Sequence, residues 1–358
     1  MKLINQIEPL ITDDDKKNLI NYLNSGGWLT EFKQNKIFEN KFRSLTKSKY
    51  CVTLPNGTLT MTAMFLALKL KIKDTILVSS YTMVATANSA KLIGLDVKFV
   101  DIDKDNLNMC PKDLLKKINK KVKAVVYTTM NGRSGYIEEI KKICKRKKIF
   151  LIEDSAHSLG SYKNKIHHGN FGIASSFSLS MPKIITTGQG GVVCTNNLKI
   201  YKKIKLIKDF GRTKPGTDKY KDLGFNFKFT DLQACIGISQ LKNINQKINI
   251  KKKIFKKYYD SLSNIKQIKT YPMEKNETPL FMDIYVSKRN KLMNYLKKKK
   301  IMTREVYPPL NKQKFFKNTQ NLPVAQKICN SGLWLPTSLN LKDKQINYII
   351  KSIKEFYS

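Results

Sequence analysis

The chain has 358 residues, of which 67 are Lys or Arg and 27 are Asp or Glu, so its formal net charge is +40. With 41% hydrophobic residues, it is long enough for a large domain and a smaller one. Its six cysteines are far apart and lack zinc-site spacing, which predicts buried free thiols and no metal. The start of the chain soon turns acidic, unlike a signal peptide, and no apolar run reaches the roughly 18 residues of a membrane span. We therefore expect a cytoplasmic protein without membrane insertion.

The excess of lysine would ordinarily indicate a nucleic-acid partner. The lysines are instead spread along the whole chain, for example through 116–126 and 141–150, and the aromatic residues lie mostly in apolar segments. This dispersal favours solvated lysine faces over a nucleic-acid-binding protein, which is the alternative of a different class. A positive field of this kind would still favour an anionic small substrate.

Short β-branched segments alternate with amphipathic ones through the first two thirds of the chain. The Asn56-Gly57 turn precedes a predicted buried helix at 58–70, and exposed helices are predicted at 111–118 and 136–146. Strands are predicted at 75–80, 97–103, 123–129, 149–155, 175–180 and 191–196. This alternation predicts an α/β domain whose mostly parallel central sheet is flanked by helices.

The pattern changes after about residue 243. A lysine-rich helix is predicted at about 246–263, a strand and a helix within 279–300, and a final helix in DKQINYIIKSIKEF. We therefore divide the chain into a large domain, 1–243 with an N-terminal arm, and a smaller α+β C-terminal domain, 244–358.

Asp154 and Lys183 carry the clearest chemical signals. Asp154 directly follows an apolar strand and is therefore expected at the carboxyl end of that strand, where α/β proteins bind ligands. A buried carboxylate there needs a cationic partner, such as a protonated pyridine nitrogen; a helix N-cap is the alternative. Lys183, in SLSMPKIITTGQGG, is flanked by proline and small residues. A partly desolvated lysine can act as a Schiff-base nucleophile.

Two other segments indicate an anion site. Gly57 and Thr58 begin a predicted helix, whose free N–H groups and dipole favour a phosphate. Ser178 precedes Lys183 by five residues, at a strand end from which its hydroxyl could reach the same phosphate. A plain turn and a satisfied strand-end hydroxyl are the simpler interpretations. Taken together, a carboxylate, a lysine and an anion site describe pyridoxal 5′-phosphate (PLP) as the cofactor.

Five motifs in order closely resemble the DegT/StrS family of sugar aminotransferases. They are NGT, SYTMVATANSAKLIGLDVKFVDID (80–103), EDSAHSLGS, SFSLSMPKIITTGQGGVVCTN and LGFNFKFTDLQACIG (223–237). The resemblance extends from 25–42 to 321–336. It implies fold type I of the PLP-dependent enzymes, a homodimer, and transfer of an amino group from an amino acid, usually glutamate, to a nucleotide-linked keto sugar.

The resemblance also implies roles for individual residues. Lys183 matches the lysine that binds the cofactor covalently and moves a proton, and Asp154 matches the partner of the pyridine nitrogen. His157 falls near the 3′ oxygen of the cofactor. Phosphate contacts are implied for Gly57, Thr58, Ser178 and, from the other subunit, Asn226. The last contact would make each active site shared between two subunits.

The chain departs from the family pattern at two places. Met83 stands where an aromatic residue usually stacks on the cofactor ring, although a thioether can also pack against a π face. WLTEFKQ lacks the glycine that often follows WLT. Substrate contacts, with surface loops as the equal alternative, are predicted for Asn131, Arg133, Arg304 and Tyr307.

The predicted function is a PLP-dependent aminotransferase for a nucleotide-linked keto sugar, most simply a 4-keto-6-deoxyhexose. The NGT and NGR segments favour the perosamine-type subclass, with glutamate as donor and a surface polysaccharide such as O-antigen as destination. A sugar dehydratase of the same family is one alternative, but such enzymes typically carry histidine in place of Lys183. A PLP protein that has lost catalysis is another, because of Met83.

Overall fold

The computed structural model describes residues 2–214, 216–316 and 320–358. The α-helices in these residues are α1 (Asp13–Asn24), α2 (Lys33–Thr46), α3 (Gly57–Ala67), α4 (Ala85–Lys91), α5 (Pro111–Lys117), α6 (Ile137–Lys147), α7 (Leu198–Lys208), α8 (Asp231–Lys242), α9 (Ile244–Leu262), α10 (Arg289–Lys298), α11 (Pro323–Ser331) and α12 (Asp343–Tyr357). The strands are β1 (Tyr50–Leu54), β2 (Thr75–Ser79), β3 (Asp96–Val100), β4 (Val122–Thr128), β5 (Phe150–Asp154), β6 (Tyr162–Lys163), β7 (Ile166–His167), β8 (Ala174–Ser178), β9 (Gly191–Thr195), β10 (Ile268–Thr270), β11 (Met282–Val286), β12 (Arg304–Glu305) and β13 (Gly332–Leu335).

The large sheet has the strand order β1-β9-β8-β5-β4-β2-β3. Strands β3, β2, β4, β5 and β8 are parallel to one another, whereas β9 runs antiparallel to both β8 and β1. Every residue of β2 and of β9 is buried, as expected for strands covered by helices on both faces. The predicted α/β fold with a mostly parallel sheet is confirmed.

The helices around this sheet follow the apolar pattern of their sequences. In α6, IEEIKKICKRK, the buried residues Ile137, Ile140 and Cys144 form one stripe, and the lysines lie on the opposite, solvent-facing side. Helix α3 is apolar nearly all round and buries six consecutive residues, 60–65, as the sequence predicts for an internal helix. Since α3 packs against β8 and β9, its N-terminus is held at the edge where the ligand site is expected.

A second, antiparallel sheet has the order β10-β11-β13-β12. A smaller core forms between this sheet and α9, α10 and α12, and it also takes in Ile4 from the start of the chain. Helix α9 contributes Ile248 to the larger core, which surrounds the seven-stranded sheet, and Phe255 to this smaller core. The division at residue 243 falls between α8 and α9 and remains a prediction.

Some elements were absent from the sequence prediction. Strand β1 at the sheet edge was not predicted, and neither were the short strands β6, β7 and β12. The predicted strand at 97–103 ends at Val100, since Asp101 turns away to accept hydrogen bonds from the N–H groups of Val324 and Ala325. Within the described ranges, no helix is both long and apolar enough to cross a membrane.

Candidate active site

A cavity of about 320 Å³ opens at the carboxyl ends of β4, β5 and β8, beside the N-terminus of α3. Parallel strands and a helix start meet here, so backbone N–H groups and strand-end side chains converge on one space. The predicted site residues that line it are Gly57, Thr58, Met83, Asp154, His157, Ser178, Lys183, Arg304 and Tyr307. Most of the predicted site is therefore assembled in a single pocket.

Asp154 is the last residue of β5, and its side chain is buried in the pocket at the carboxyl end of that strand. Its Oδ2 accepts a hydrogen bond from Thr86 Oγ1 at 2.5 Å, and its Oδ1 accepts one from the N–H of Ala156 at 3.2 Å. Burial raises the pKa of Asp154, while Thr86, Ala156 and the charge of Lys183 act in the opposite direction. The chain continues in turns rather than an α-helix, so Asp154 does not act as a helix N-cap.

Lys183 lies in a turn after β8, where its N–H donates to the carbonyl of Ser180 at 3.0 Å. Burial lowers the pKa of Lys183 to about 8; Asp154 opposes this shift and the positive charge of Arg304 adds to it. With a pKa of about 8, roughly a tenth of the amine is neutral at pH 7, far more than for an ordinary lysine, and the neutral form is the one that a nucleophilic amine requires. Burial and the neighbouring charges, rather than the charge of the lysine itself, distinguish Lys183 from the other lysines of the chain.

His157 is buried between Tyr307 and Phe281. Its Nε2 lies 3.4 Å from the hydroxyl of Tyr307, whereas its buried Nδ1 has no partner in the described residues. Burial, with the nearby charges of Lys183 and Arg304, lowers the pKa of His157 well below its usual value. The imidazole is therefore neutral and retains a free nitrogen for a ligand.

The N-terminus of α3 and the end of β8 form the other side of the pocket. Asn56 caps the helix, since its side chain accepts the N–H of Leu59 at 2.9 Å. Other N–H groups of the first turn, such as that of Thr58, have no intrahelical acceptor. A Cβ on Gly57 would lie 3.3 Å from Cβ of Ser178, so the helix start and the strand end approach closely. With the Ser178 hydroxyl beside them, these N–H groups form an anion cradle.

The structure also brings polar residues to the pocket that the sequence analysis missed, namely Thr82, Thr86, Thr128, Ser176, Ser180 and Gln189. Thr82 lies 3.1 Å from both Thr86 and Thr128 between hydroxyl oxygens, and Thr86 continues the chain of hydrogen bonds to Asp154. The one feature of the sequence that could have indicated this chain of hydroxyl groups is the spacing of Thr82 and Thr86, which are four residues apart. That spacing alone does not indicate a partner.

Asn131 and Arg133 do not line this pocket, and their predicted substrate contacts remain a prediction. Both guanidinium Nη atoms of Arg133 bind the carboxylate of buried Asp283 at 2.8 Å, and Arg133 is itself 2% exposed. The side chain of Asn131 binds Asp283 and the main chain of Leu280 and Phe281. The backbone turns back at Asn131, with φ of 55°, and both side chains reach Asp283 of β11. In this arrangement the two residues join the main sheet to the second sheet.

Two further predicted site residues differ from each other in position, since Met83 lines the pocket and Asn226 does not. Asn226 is exposed and does not line the pocket of its own chain, so its predicted contact with the phosphate of a second subunit remains a prediction. Met83 lines the pocket, is 42% exposed, and accepts the N–H of Ala85 on its sulfur at 3.0 Å. Its sulfur is therefore held in place at the mouth of the site.

Comparison with known proteins assigns the chain to a family. The model of the DegT/DnrJ/EryC1/StrS aminotransferase family matches residues 9–354. The protein belongs to this family. Its sequence is 32% identical over 365 residues to a GDP-perosamine synthase of Escherichia coli O157:H7, with 100% of both chains covered. It is 28% identical to a GDP-perosamine synthase of Vibrio cholerae, with 98% of each covered.

Solved structures agree with this assignment. Helicobacter pylori PseC, an aminotransferase of pseudoaminic acid biosynthesis, superimposes with a TM-score of 0.93 at 25% identity, covering 99% of both chains. The E. coli GDP-4-keto-6-deoxy-D-mannose-3-dehydratase with bound hydrated PLP shares the fold, with a TM-score of 0.92 at 24% identity and coverage of 98% and 100%. The predicted family, fold type I and PLP-dependent sugar aminotransferase class are confirmed.

The pocket also fits PLP on its own chemistry. Asp154 suits a protonated ring nitrogen, the orphaned Nδ1 of His157 suits a ring oxygen, and the cradle at Gly57 and Ser178 suits a phosphate. Lys183 suits an aldehyde, because its amine is partly neutral. Each functional group of the cofactor thus has a matching group in one cavity.

Proposed function

We propose that this aminotransferase moves the amino group of glutamate to the keto carbon of a nucleotide-linked 4-keto-6-deoxyhexose, with GDP as the nucleotide. The observation that carries the proposal is the convergence of Asp154, Lys183 and the Gly57–Ser178 cradle in one pocket. The full-length similarity to two GDP-perosamine synthases supports the choice of nucleotide and sugar. The product would be a 4-amino-4,6-dideoxyhexose for a surface polysaccharide such as O-antigen.

Four side chains of the pocket, those of Asp154, His157, Ser178 and Lys183, have roles in this reaction. PLP, when bound, supplies an electron sink for the electrons of the broken C–H bond. Asp154 holds a proton on the ring nitrogen, and Ser178 with the N–H groups of α3 binds the phosphate. Lys183 Nζ removes the proton from the α-carbon of the donor and, in the second half-reaction, delivers one to the sugar carbon. The neutral His157 binds the ring oxygen and orients the cofactor.

A substrate panel tests the proposal. The holoenzyme is incubated with glutamate and the GDP-, dTDP- or UDP-linked 4-keto-6-deoxy sugar, and products are identified by mass spectrometry. We expect the amino sugar with the GDP-linked substrate and formation of 2-oxoglutarate in equal amount. If none of the three sugars is aminated, the proposed substrate class is wrong; if only another nucleotide serves, the GDP assignment alone fails.

The dehydratase alternative is distinguished by the same panel. It would yield a deoxygenated keto sugar instead of an amino sugar, and it would consume glutamate without incorporating its nitrogen. Lys183 disfavours it, because a lysine retains the cofactor covalently, whereas the dehydratases of the family typically carry histidine there. Transfer of ¹⁵N from labelled glutamate into the sugar separates the two reactions.

We further propose that the protein is a homodimer and that it acts in the cytoplasm. Large apolar side chains are exposed on the N-terminal arm, at Trp28, Leu29 and Phe32, and on the loop near Asn226, at Leu223. Such a set is typical of a surface that another chain covers. All six cysteines are free thiols, which is consistent with a reducing compartment.

A further inference from the structure

Helix α9 contains a buried lysine, Lys251, that the reaction described above does not use. It is 3% exposed, and its Nζ donates hydrogen bonds to the main-chain carbonyls of Leu280 at 3.0 Å and Thr337 at 2.6 Å. The salt bridges of α9 involve other lysines, and in the described part of the chain none involves Lys251. Burial of an amine costs free energy unless its donors are paired, and here two main-chain carbonyls provide the pairing.

The two carbonyls lie just beyond the end of the ladder between β11 and β13. The last pair of this ladder is Met282 with Leu335, and Leu280 and Thr337 are each two residues farther along. The amine therefore bridges the two segments where the strands leave each other. Burial lowers the pKa of Lys251 to about 7, and even the neutral amine keeps two N–H donors, one for each carbonyl. The bridge can form in either protonation state.

The bridged segments carry the aromatic rings that pack against His157. Phe281 directly follows Leu280, and its ring lies edge-on to the imidazole of His157, with the ring centres 5.6 Å apart. Trp334 of β13 stacks on Phe281 at 4.4 Å and meets the ring of Tyr307 edge-on at 4.8 Å. Tyr307 in turn places its hydroxyl 3.4 Å from His157 Nε2. The position of the imidazole thus depends on where the two segments lie.

Other contacts hold the same two segments. Asn131, which follows β4, accepts the N–H groups of Leu280 at 3.0 Å and Phe281 at 2.7 Å, so the amine from α9 completes the binding of the Leu280 peptide groups. On the β13 side, Tyr258 of α9 donates to the carbonyl of Pro336 at 3.1 Å and gives that segment a second support. Loss of the lysine is therefore expected to displace mainly the segment that contains Phe281.

We propose that Lys251 is a positioning residue, which fixes the aromatic support of His157 and so keeps the Nδ1 of that ring available to the ring oxygen of PLP. The inference rests on the proposed role of His157 and deepens it. His157 Nδ1 is buried and has no partner in the described residues, so no hydrogen bond at that nitrogen orients the ring. Packing and the contact with Tyr307 orient it instead. A residue of α9 can therefore affect the site without touching it.

Apoprotein labelled with ¹³C at Cε1 of histidine tests the inference without cofactor. The chain has three histidines, and His157→Gln identifies the NMR signal of His157. Since a neighbouring aromatic ring shifts such a signal, Lys251→Met should move the His157 signal by more than its line width and leave the other two in place. Lys247→Met removes another buried lysine of α9, one turn earlier, whose Nζ binds Gln240; as the matched control it should move none of the three signals. Lys251→Arg keeps N–H donors and should restore the natural position.

The holoenzyme supplies a second measurement. Stopped-flow absorbance follows the visible cofactor band after mixing with glutamate. Because His157 orients the cofactor and does not bind the donor, Lys251→Met should lower the maximal rate roughly tenfold and leave the half-saturating glutamate concentration unchanged. Lys247→Met should match the natural protein in both quantities, although urea unfolding should show that it is destabilised as well. Lys251→Arg should recover most of the rate.

The outcomes distinguish a positioning role from a purely structural one. An unmoved His157 signal in Lys251→Met would overturn the inference, and so would equal effects of Lys251→Met and Lys247→Met, which would indicate a general loosening of α9. If Lys251→Met does not fold, Lys251→Gln, whose side chain is too short to span both carbonyls, takes its place with the same expected result. If the natural holoenzyme does not react with glutamate, the proposed transamination fails, and the histidine spectrum of the apoprotein still decides whether Lys251 holds His157.

Discussion

At the scale of single residues, Lys183 is distinguished by its low pKa. A lysine whose pKa is lowered to about 8 becomes neutral at a lower pH than its exposed neighbours. Because the neutral amine attacks the aldehyde, the rate at which apoprotein captures PLP should rise with pH and level off above about 8. Stopped-flow absorbance measures this rate. A rate that keeps rising, as for an ordinary lysine with pKa about 10.4, would contradict the assignment.

The site of attachment is tested on the same sample. Borohydride reduction followed by peptide mass spectrometry should locate the cofactor on Lys183. Lys183→Ala should lose the visible band and all turnover, whereas Lys145→Ala, an exposed lysine of α6, should retain both. If Lys183→Ala keeps turnover, the lysine does not have the role assigned to it.

Thr86 provides a pH-dependent test of Asp154. Its hydroxyl donates to the buried carboxylate and lowers the pKa of Asp154, against the raising effect of burial. Thr86→Val removes this donor, so the pKa rises and the carboxylate becomes protonated at a higher pH. The acidic limb of kcat/KM should therefore move to higher pH, and kcat/KM should fall roughly 30-fold, for a loss of about 2 kcal/mol. Thr86→Ser keeps the hydroxyl and should restore the profile; an unmoved acidic limb in Thr86→Val would argue against this coupling.

At the scale of elements, the contact between α3 and β8 sets the shape of the phosphate cradle. Gly57→Ala would place a Cβ 3.3 Å from Cβ of Ser178 and push the helix start and the strand end apart. We expect the Kd for PLP to rise roughly tenfold, with little change in the free energy of unfolding. Fluorescence titration and urea unfolding measure the two quantities. Ser178→Ala removes only the hydroxyl, and adding it to Gly57→Ala should weaken PLP binding by less than the sum of the two effects, since both act on one cradle.

The sequence predicted those elements and site residues whose signals are local. Strands β4 and β5 are apolar runs, and Asp154 follows one of them directly, so its place at the sheet edge could be predicted. Strand β1 was not predicted, and its pairing with β9 joins residues such as Tyr50 and Thr195, which are distant in the chain. For the same reason the bond from Thr86 to Asp154 could not be predicted, because it depends on how β2, β4 and β5 align.

At the scale of the whole molecule, the pair of Arg133 and Asp283 connects the two sheets. Arg133→Met would leave a buried carboxylate without its cation, at a cost of about 3–5 kcal/mol in the free energy of unfolding. Adding Asp283→Asn removes the unpaired charge and should recover part of that loss. Urea unfolding measures both variants. Arg133→Lys should be destabilised with an unchanged KM for the nucleotide sugar; a raised KM at full stability would instead return Arg133 to the substrate site.

The proposed homodimer predicts a specific result for mixed subunits. Asn226 lies outside the pocket of its own chain, and under the proposal it completes the pocket of its partner, which contains Lys183. Lys183→Ala and Asn226→Ala would then each inactivate both sites of a homodimer. In a hybrid dimer with one subunit of each kind, both defects fall in one site, and the other site is intact. Hybrids purified with two different affinity tags should therefore have about half the specific activity of the natural enzyme, since sites add independently. If Asn226 served its own subunit, each hybrid site would carry one defect, and mixing would restore nothing.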